Sequence, residues 1–176
     1  ASTAMLDSLK KEMHFHTGVD PKIMTFPRAC ALYAKANFFD GPVLFVSIEN
    51  ETTTVCTVSL ESSIIYNAET IDMGLNKIIE SVMERSHADR EIAESYMRLT
   101  REEMLSEDIS LLVKSAQEDA LSSWKSKISS FISNGVNKKY VLCRDSRFTP
   151  MFAKTINFER DVDIRKIILE SWLCGV

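Results

Sequence analysis

Residues 68–86 read AETIDMGLNKIIESVMERS, and the first decision about the fold turns on them. Ile71, Leu75, Ile78, Ile79, Val82 and Met83 recur at helical intervals, which sets apolar side chains along one face of an α-helix. Asn67, just before them, is a residue type that caps helix N-termini. The spacing predicts a helix from about residue 68. The pattern continues to Asn134-Gly135, with no proline and with Gly74 as the single interior glycine. Ser86 followed three residues later by Asp89 resembles a capping box and predicts a second helix start. Ser106-Glu107-Asp108 predicts a third, with acids in the first turn where the helix dipole favours them. From there Ile109, Leu112, Val113, Ala116, Ala120, Trp124, Ile128 and Phe131 mark one long helix.

Upstream the pattern changes. Val43-Leu44-Phe45-Val46-Ser47-Ile48 and Thr52 to Leu60 are rich in β-branched and aromatic residues and flank the polar Glu49-Asn50-Glu51, which predicts a β-hairpin. Ser63 to Tyr66 offers a third short strand, and an isolated two-stranded hairpin is marginal in water. Before these, helices are predicted over 5–15 and from about Pro27 to Phe38. Downstream, Tyr140 to Cys143 reads as a short strand, Phe148 to Phe152 as irregular around Pro150, and Asn157 as the cap of a last helix. The expected fold class is α+β, helix-dominated, with several amphipathic helices and a small β-hairpin or three-stranded element near residues 43–66. The expected division is a mixed part over 1–67 and a helical part with a basic C-terminal segment over 68–176.

The 176 residues, 45% apolar and 26% charged, suit a globular chain able to bury a core. Apolar runs are too short for a membrane helix, and the first thirteen residues lack the apolar stretch of a signal peptide. Cys30, Cys56, Cys143 and Cys174 are scattered without a C-x-x-C pair, which suits free thiols in a reducing compartment, so a cytoplasmic location is expected. The net charge of −4 conceals an asymmetry. Residues 1–120 hold 11 Lys+Arg against 20 Asp+Glu, whereas residues 121–176 hold 10 against 5. Such separation points either to an anionic partner for the C-terminal part or to self-association through unlike surfaces.

No motif for nucleotide or nucleophile chemistry is present, neither G-x-S-x-G, nor a P-loop, nor G-x-G-x-x-G. His14 and His16 are two residues apart on a predicted helix and do not face one another, and His87 stands alone. No catalytic residue, metal site or cofactor is therefore expected, and no enzymatic activity. The basic segment carries the functional expectation. Lys125, Lys127, Lys138, Lys139, Arg144, Arg147 and Lys154 are interleaved with Tyr140, Phe148 and Phe152, so that cations could neutralise phosphates and aromatic rings could stack on unpaired bases. The expected function is a self-associating, homo-oligomeric protein that binds RNA or another polyanion through these residues. The alternative is a protein–protein adaptor or assembly module with no nucleic-acid role. In chain size, helix content and charge division the sequence is similar to small RNA-silencing suppressors of filamentous plant viruses, a layout resemblance that implies a viral, ring-forming RNA binder.

Overall fold

The strands expected around residues 43–60 are present, and they belong to a larger sheet. The computed structural model describes residues 3–18, 25–36, 41–59, 64–132, 136 and 138–156. Helices α1 (Thr3–Thr17) and α2 (Phe26–Ala36) precede strands β1 (Val43–Ile48), β2 (Thr53–Ser59) and β3 (Ile64–Ile71). Helices α3 (Leu75–Ser86), α4 (Arg90–Arg101) and α5 (Glu107–Ile132) follow. Then come β4 (Lys138–Cys143), a 3-10 turn (Ser146–Phe148) and α6 (Thr149–Thr155).

The four strands form one mixed sheet in the order β3-β2-β1-β4. β1, β2 and β3 are an antiparallel meander, with an irregularity between Thr57 and Val58. The chain then crosses over through α3, α4 and α5 and returns as β4, parallel to β1 with Val43 opposite Lys138 and Ile48 opposite Cys143. A parallel neighbour requires such a crossover, because a hairpin can join only antiparallel strands. The sheet thus draws strands from both sides of the division expected after residue 67.

Helices cover both faces. On one side Val43, Phe45, Cys56, Val58 and Tyr140 pack with Cys30 and Ala34 of α2. On the other, Leu44, Val46, Ile48, Val55 and Val141 meet α3, α4, α5 and α6 in the larger core. β1 is central and buried on both faces, so apolar residues occupy nearly every position of it. At the centre of the larger core Trp124 of α5 lies edge-on to Phe152 of α6, with ring centroids 4.9 Å apart. Its indole Nε1 donates to Thr53 Oγ1 at 3.0 Å, and Thr53 Oγ1 donates to the Met73 carbonyl at 2.6 Å. All the polar atoms of this buried relay are therefore partnered, and it ties α5, β2 and the entry to α3 together.

The expected fold class is corrected. The strands are the middle layer of the molecule, with helices on either side, and the sheet is no appendage to a helical body. A local correction follows the same cause. Residues 68–71, expected in helix, extend β3, because pairing with Thr53 to Cys56 outweighs the helical spacing. Thr54 and Thr70 meet across the strands, Oγ1 to Oγ1, at 3.0 Å. α3 begins at Leu75 with Gly74 as its N-cap, so Asn67 caps nothing. Asp89, rather than Ser86, caps α4, its carboxylate accepting from Ile92 N at 3.0 Å, while Ser86 ends α3 with its hydroxyl on the Val82 carbonyl. The long helix from Glu107 forms as expected. Phe148 to Phe152, expected as irregular, joins the 3-10 turn to α6, where Pro150 sits in the first turn and its missing N–H costs no helical hydrogen bond. The predicted last helix from Asn157 lies outside the described residues.

Candidate functional site

In open α/β sheets, ligands collect beyond the carboxyl ends of parallel strands, where loops diverge and backbone groups are unpaired. Here that place is where β1 and β4 end side by side at Ile48 and Cys143. The ladder continues one step further through Arg144 N and the Ile48 carbonyl, 2.8 Å apart. The turn after β1 is closed by Glu49 N on the Thr52 carbonyl at 2.9 Å. Beyond β4, Asp145 accepts from Arg147 N at 3.0 Å and from Arg147 Nε at 2.9 Å. The Arg147 guanidinium holds the Asp145 carboxyl below the usual carboxylate range, chiefly by this hydrogen bonding.

α3 points its N-terminus at the same place, and a helix N-terminus offers unpaired N–H groups to anions. In this chain those groups are taken. Leu75 N donates to the Glu49 carbonyl at 2.9 Å and Asn76 N to the Asn50 carbonyl at 2.8 Å. The approach is so close that a Cβ on Gly74 would lie 2.4 Å from the Glu49 carbonyl oxygen and 2.5 Å from that of Asn50. Gly74, the one glycine inside the helical run, is required here for lack of a side chain and not for its backbone angles, which are extended.

Above this seal is a polar cavity of about 400 Å³ whose lining includes Asn50, Arg90, Glu94, Arg144, Asp145 and Phe148. Its side chains are largely committed to one another. Arg90 reaches Glu94 at 2.9 Å and Asn76 Oδ1 at 2.5 Å, and Asn76 in turn donates to Glu51. Glu94 and Phe148 also belong to a second cavity of about 510 Å³ between α4, α5 and the chain from the 3-10 turn into α6. Its apolar wall is made by Met97, Phe148, Pro150 and Met151. Among the described residues no group of three His, Cys, Asp or Glu side chains could hold a metal ion.

The residues expected to bind nucleic acid do not form one surface. Tyr140 is buried between sheet and α2, stacked on Phe45 with centroids 5.2 Å apart. Lys139 turns to the other face and donates to the Ile156 carbonyl at 3.1 Å. Lys125 and Lys127 are exposed on α5, while Lys138 pairs through its backbone with Val43. Arg144 lines the polar cavity, Lys154 the second one, and Phe148 both. Arg147, also at the second cavity, is forked onto Asp145. Sequence reasoning missed Glu94, Arg98, Arg101 and Lys114 as cavity-lining groups, because they come from α4 and α5 and only the return of β4 and α6 brings the far wall to them.

No protein family matches the sequence, and no curated protein is similar to it in sequence. Solved structures are similar in fold. MreB 5 of Spiroplasma citri bound to AMPPNP matches 99% of this chain and 64% of its own, at 13% identity and a TM-score of 0.59. The pCBH ParM non-polymerisable quadruple mutant matches 82% of this chain and 50% of its own, at 12% identity and a TM-score of 0.59. The PilM-PilN type IV pilus biogenesis complex matches 93% of this chain and 48% of its own, at 14% identity and a TM-score of 0.56. The chain thus spans about half to two thirds of the length of these proteins, and at such identities the likeness concerns the fold alone. A similar fold is found in an archaeal actin homolog, which matches 81% of this chain and 49% of its own at 12% identity and a TM-score of 0.50. The expectation of an RNA or polyanion binder falls with this finding. The fold neighbours are MreB, ParM and PilM proteins and not viral RNA binders, and the resemblance to silencing suppressors is overturned. The physical reason is in the placement just described, since Tyr140 is core and the cations are dispersed over several surfaces. No helix among the described residues is long and apolar enough to cross a membrane.

Proposed function

We propose that this chain is one lobe of an actin-fold assembly protein, which associates with further copies of itself and does not by itself turn over nucleotide. The observation that carries the reading is the seal at the sheet end. MreB 5 was solved with AMPPNP and the ParM structure is of a non-polymerisable mutant, so nucleotide binding and polymerisation are both attached to this fold in other proteins. In this lobe the N–H groups of Leu75 and Asn76, which could cradle a phosphate, are hydrogen-bonded to the turn carbonyls of Glu49 and Asn50. In the cavity wall Arg90 is already held by Glu94, and Glu49 and Glu51 on the adjoining turn add negative charge that opposes a polyphosphate. Assembly is the activity of the fold that remains.

Two measurements on the chain test this. Light scattering across a concentration series should show mass increasing above the 20.0 kDa monomer. Titration of a fluorescent ATP analogue with magnesium should show no saturable binding, and phosphate release should stay at background. A strict monomer, or stoichiometric nucleotide binding by this lobe, refutes the proposal.

A further inference from the structure

The assembly reading leaves open which surface is used, and the inference below rests on that reading. The larger cavity combines two features that a solvated surface does not need. Its apolar wall, made by Met97, Phe148 and Met151, is open to a rim on which Arg98, Lys114 and Lys154 are exposed and, among the described residues, make no ion pair or side-chain hydrogen bond. Two further cations there are engaged: Arg101 donates to the Arg147 carbonyl at 2.6 Å, and Arg147 pairs with Asp145. Glu91 and Glu94 also line it, Glu94 being held by Arg90. In the same wall Thr100 is 6% exposed, and its hydroxyl is the one buried side-chain polar atom without a partner among the described residues.

The complementary feature is on the same chain. The turn from α4 to α5 carries Met104, which is 70% exposed, with Glu102, Glu103, Glu107 and Asp108 around it. The turn is held in shape by its own hydrogen bonds, Glu102 N to the Arg98 carbonyl at 3.2 Å and Met104 N to the Leu99 carbonyl at 2.9 Å. Glu103 adopts a left-handed φ of 57°, which a glycine would take at lower cost. Leu111, 59% exposed, lies about one helical turn before Lys114 on α5.

We propose that the α4–α5 turn of one copy, tipped by Met104 and ringed by acids, docks into the basic-rimmed cavity of a second copy. An apolar tip inside an acidic ring matches an apolar wall inside a basic rim in both chemistry and sign. Tip and cavity adjoin at the end of α4, where Arg98 and Thr100 lead directly into Glu102, so a two-fold arrangement gives each copy the same pair of contacts.

The test is a charge exchange followed by light scattering and sedimentation velocity. One variant carries Lys114→Glu with Lys154→Glu, the other Glu103→Lys with Glu107→Lys, each confirmed as folded by circular dichroism and its melting curve. Each alone should weaken self-association by about tenfold or more, and an equimolar mixture should restore it as a heterodimer. Met104→Asn, which leaves the charges in place, should also weaken it. Self-association of both charge variants equal to wild type would overturn this surface while leaving the assembly reading intact. A mixture that fails to recover also overturns it. A wild-type chain that is monomeric throughout would remove both.

Discussion

Replacing Gly74 by alanine isolates the contact that seals the end of the sheet, and competing effects predict opposite signs for it. The native backbone there has φ −124° and ψ −160°, which any residue adopts, so alanine introduces no conformational strain. If the site were open, Gly74→Ala would be neutral or stabilising by about 0.4–1 kcal/mol, because it restricts the unfolded chain. The structure predicts the reverse. The new Cβ would stand 2.4 Å from the Glu49 carbonyl oxygen and 2.7 Å from the Asn50 carbonyl carbon, and both are backbone atoms of a hydrogen-bonded turn that cannot rotate away. Relief requires α3 and the turn to separate, which breaks the hydrogen bonds from Leu75 N and Asn76 N. Each is worth about 1 kcal/mol, and a buried donor left unpaired costs more. The expected loss is about 2–4 kcal/mol, or roughly 5–15 °C in melting temperature for a chain of this size. Urea unfolding followed by far-UV circular dichroism reads it directly. Gly18→Ala is the control, since that glycine has a φ of +68° but open space around it, so it should lose only the conformational cost of about 1 kcal/mol. A Gly74→Ala variant as stable as wild type would refute the close approach of turn and helix.

Two further perturbations test the core. Thr53→Val keeps the shape of the side chain but leaves Trp124 Nε1 and the Met73 carbonyl unpaired, so it should cost about 2–4 kcal/mol in urea unfolding, whereas Thr53→Ser should recover most of that loss. Cys143 at the end of β4 has its thiol pushed up to about 11, mainly by burial. Its peptide should therefore resist iodoacetamide at pH 8 in the folded protein and react once the chain is unfolded. The folded state holds this proton after the unfolded chain has released it, so the contribution to stability is complete below pH 9 and is lost as pH rises toward 11. Equal native and unfolded labelling rates would contradict the burial.

The parts of the fold that could be read in the sequence are those decided within a few residues. The meander of β1 and β2, the acid-led start of α5 and the helical character of α4 all form near their expected places. What failed was long-range. Ile71 stands in helical phase with Leu75 and Ile78, and nothing in Ala68-Glu69-Thr70 argues for a strand. Those residues are extended because Thr53 to Cys56 offer them an edge to pair with. The place of β4 beside β1 was equally hidden, since a parallel pairing is set by the crossover and not by the strand itself. One signal of the covered sheet lies within β1 itself. Val43 to Ile48 is apolar at every position except Ser47, and a strand without alternation is buried on both faces. That excludes a small hairpin lying against a helical body and requires a covered sheet.

The charge asymmetry was legible as well, and its interpretation failed for a reason that applies to any charge count along a chain. A run of cations reads as one surface only if the residues share a face, and β4 sends successive side chains to opposite sides of the sheet. Lys139 therefore reaches toward α6 while Tyr140, its neighbour, enters the core under α2. Arg144, Arg147 and Lys154 fall on the side where α4 and α5 supply Arg98, Arg101 and Lys114, cations that the count had assigned to the acidic part of the chain. The fold thus dismantles the basic segment seen in sequence and assembles a different basic rim from residues far apart along the chain. The acids that could oppose this rim, Glu102, Glu103, Glu107 and Asp108, stand together on one exposed turn, where they are neighbours in sequence as well as in space. An acidic cluster on one local turn and a basic rim drawn from four elements is the charge separation this chain presents to a partner, and it fits a second copy better than it fits a polyanion.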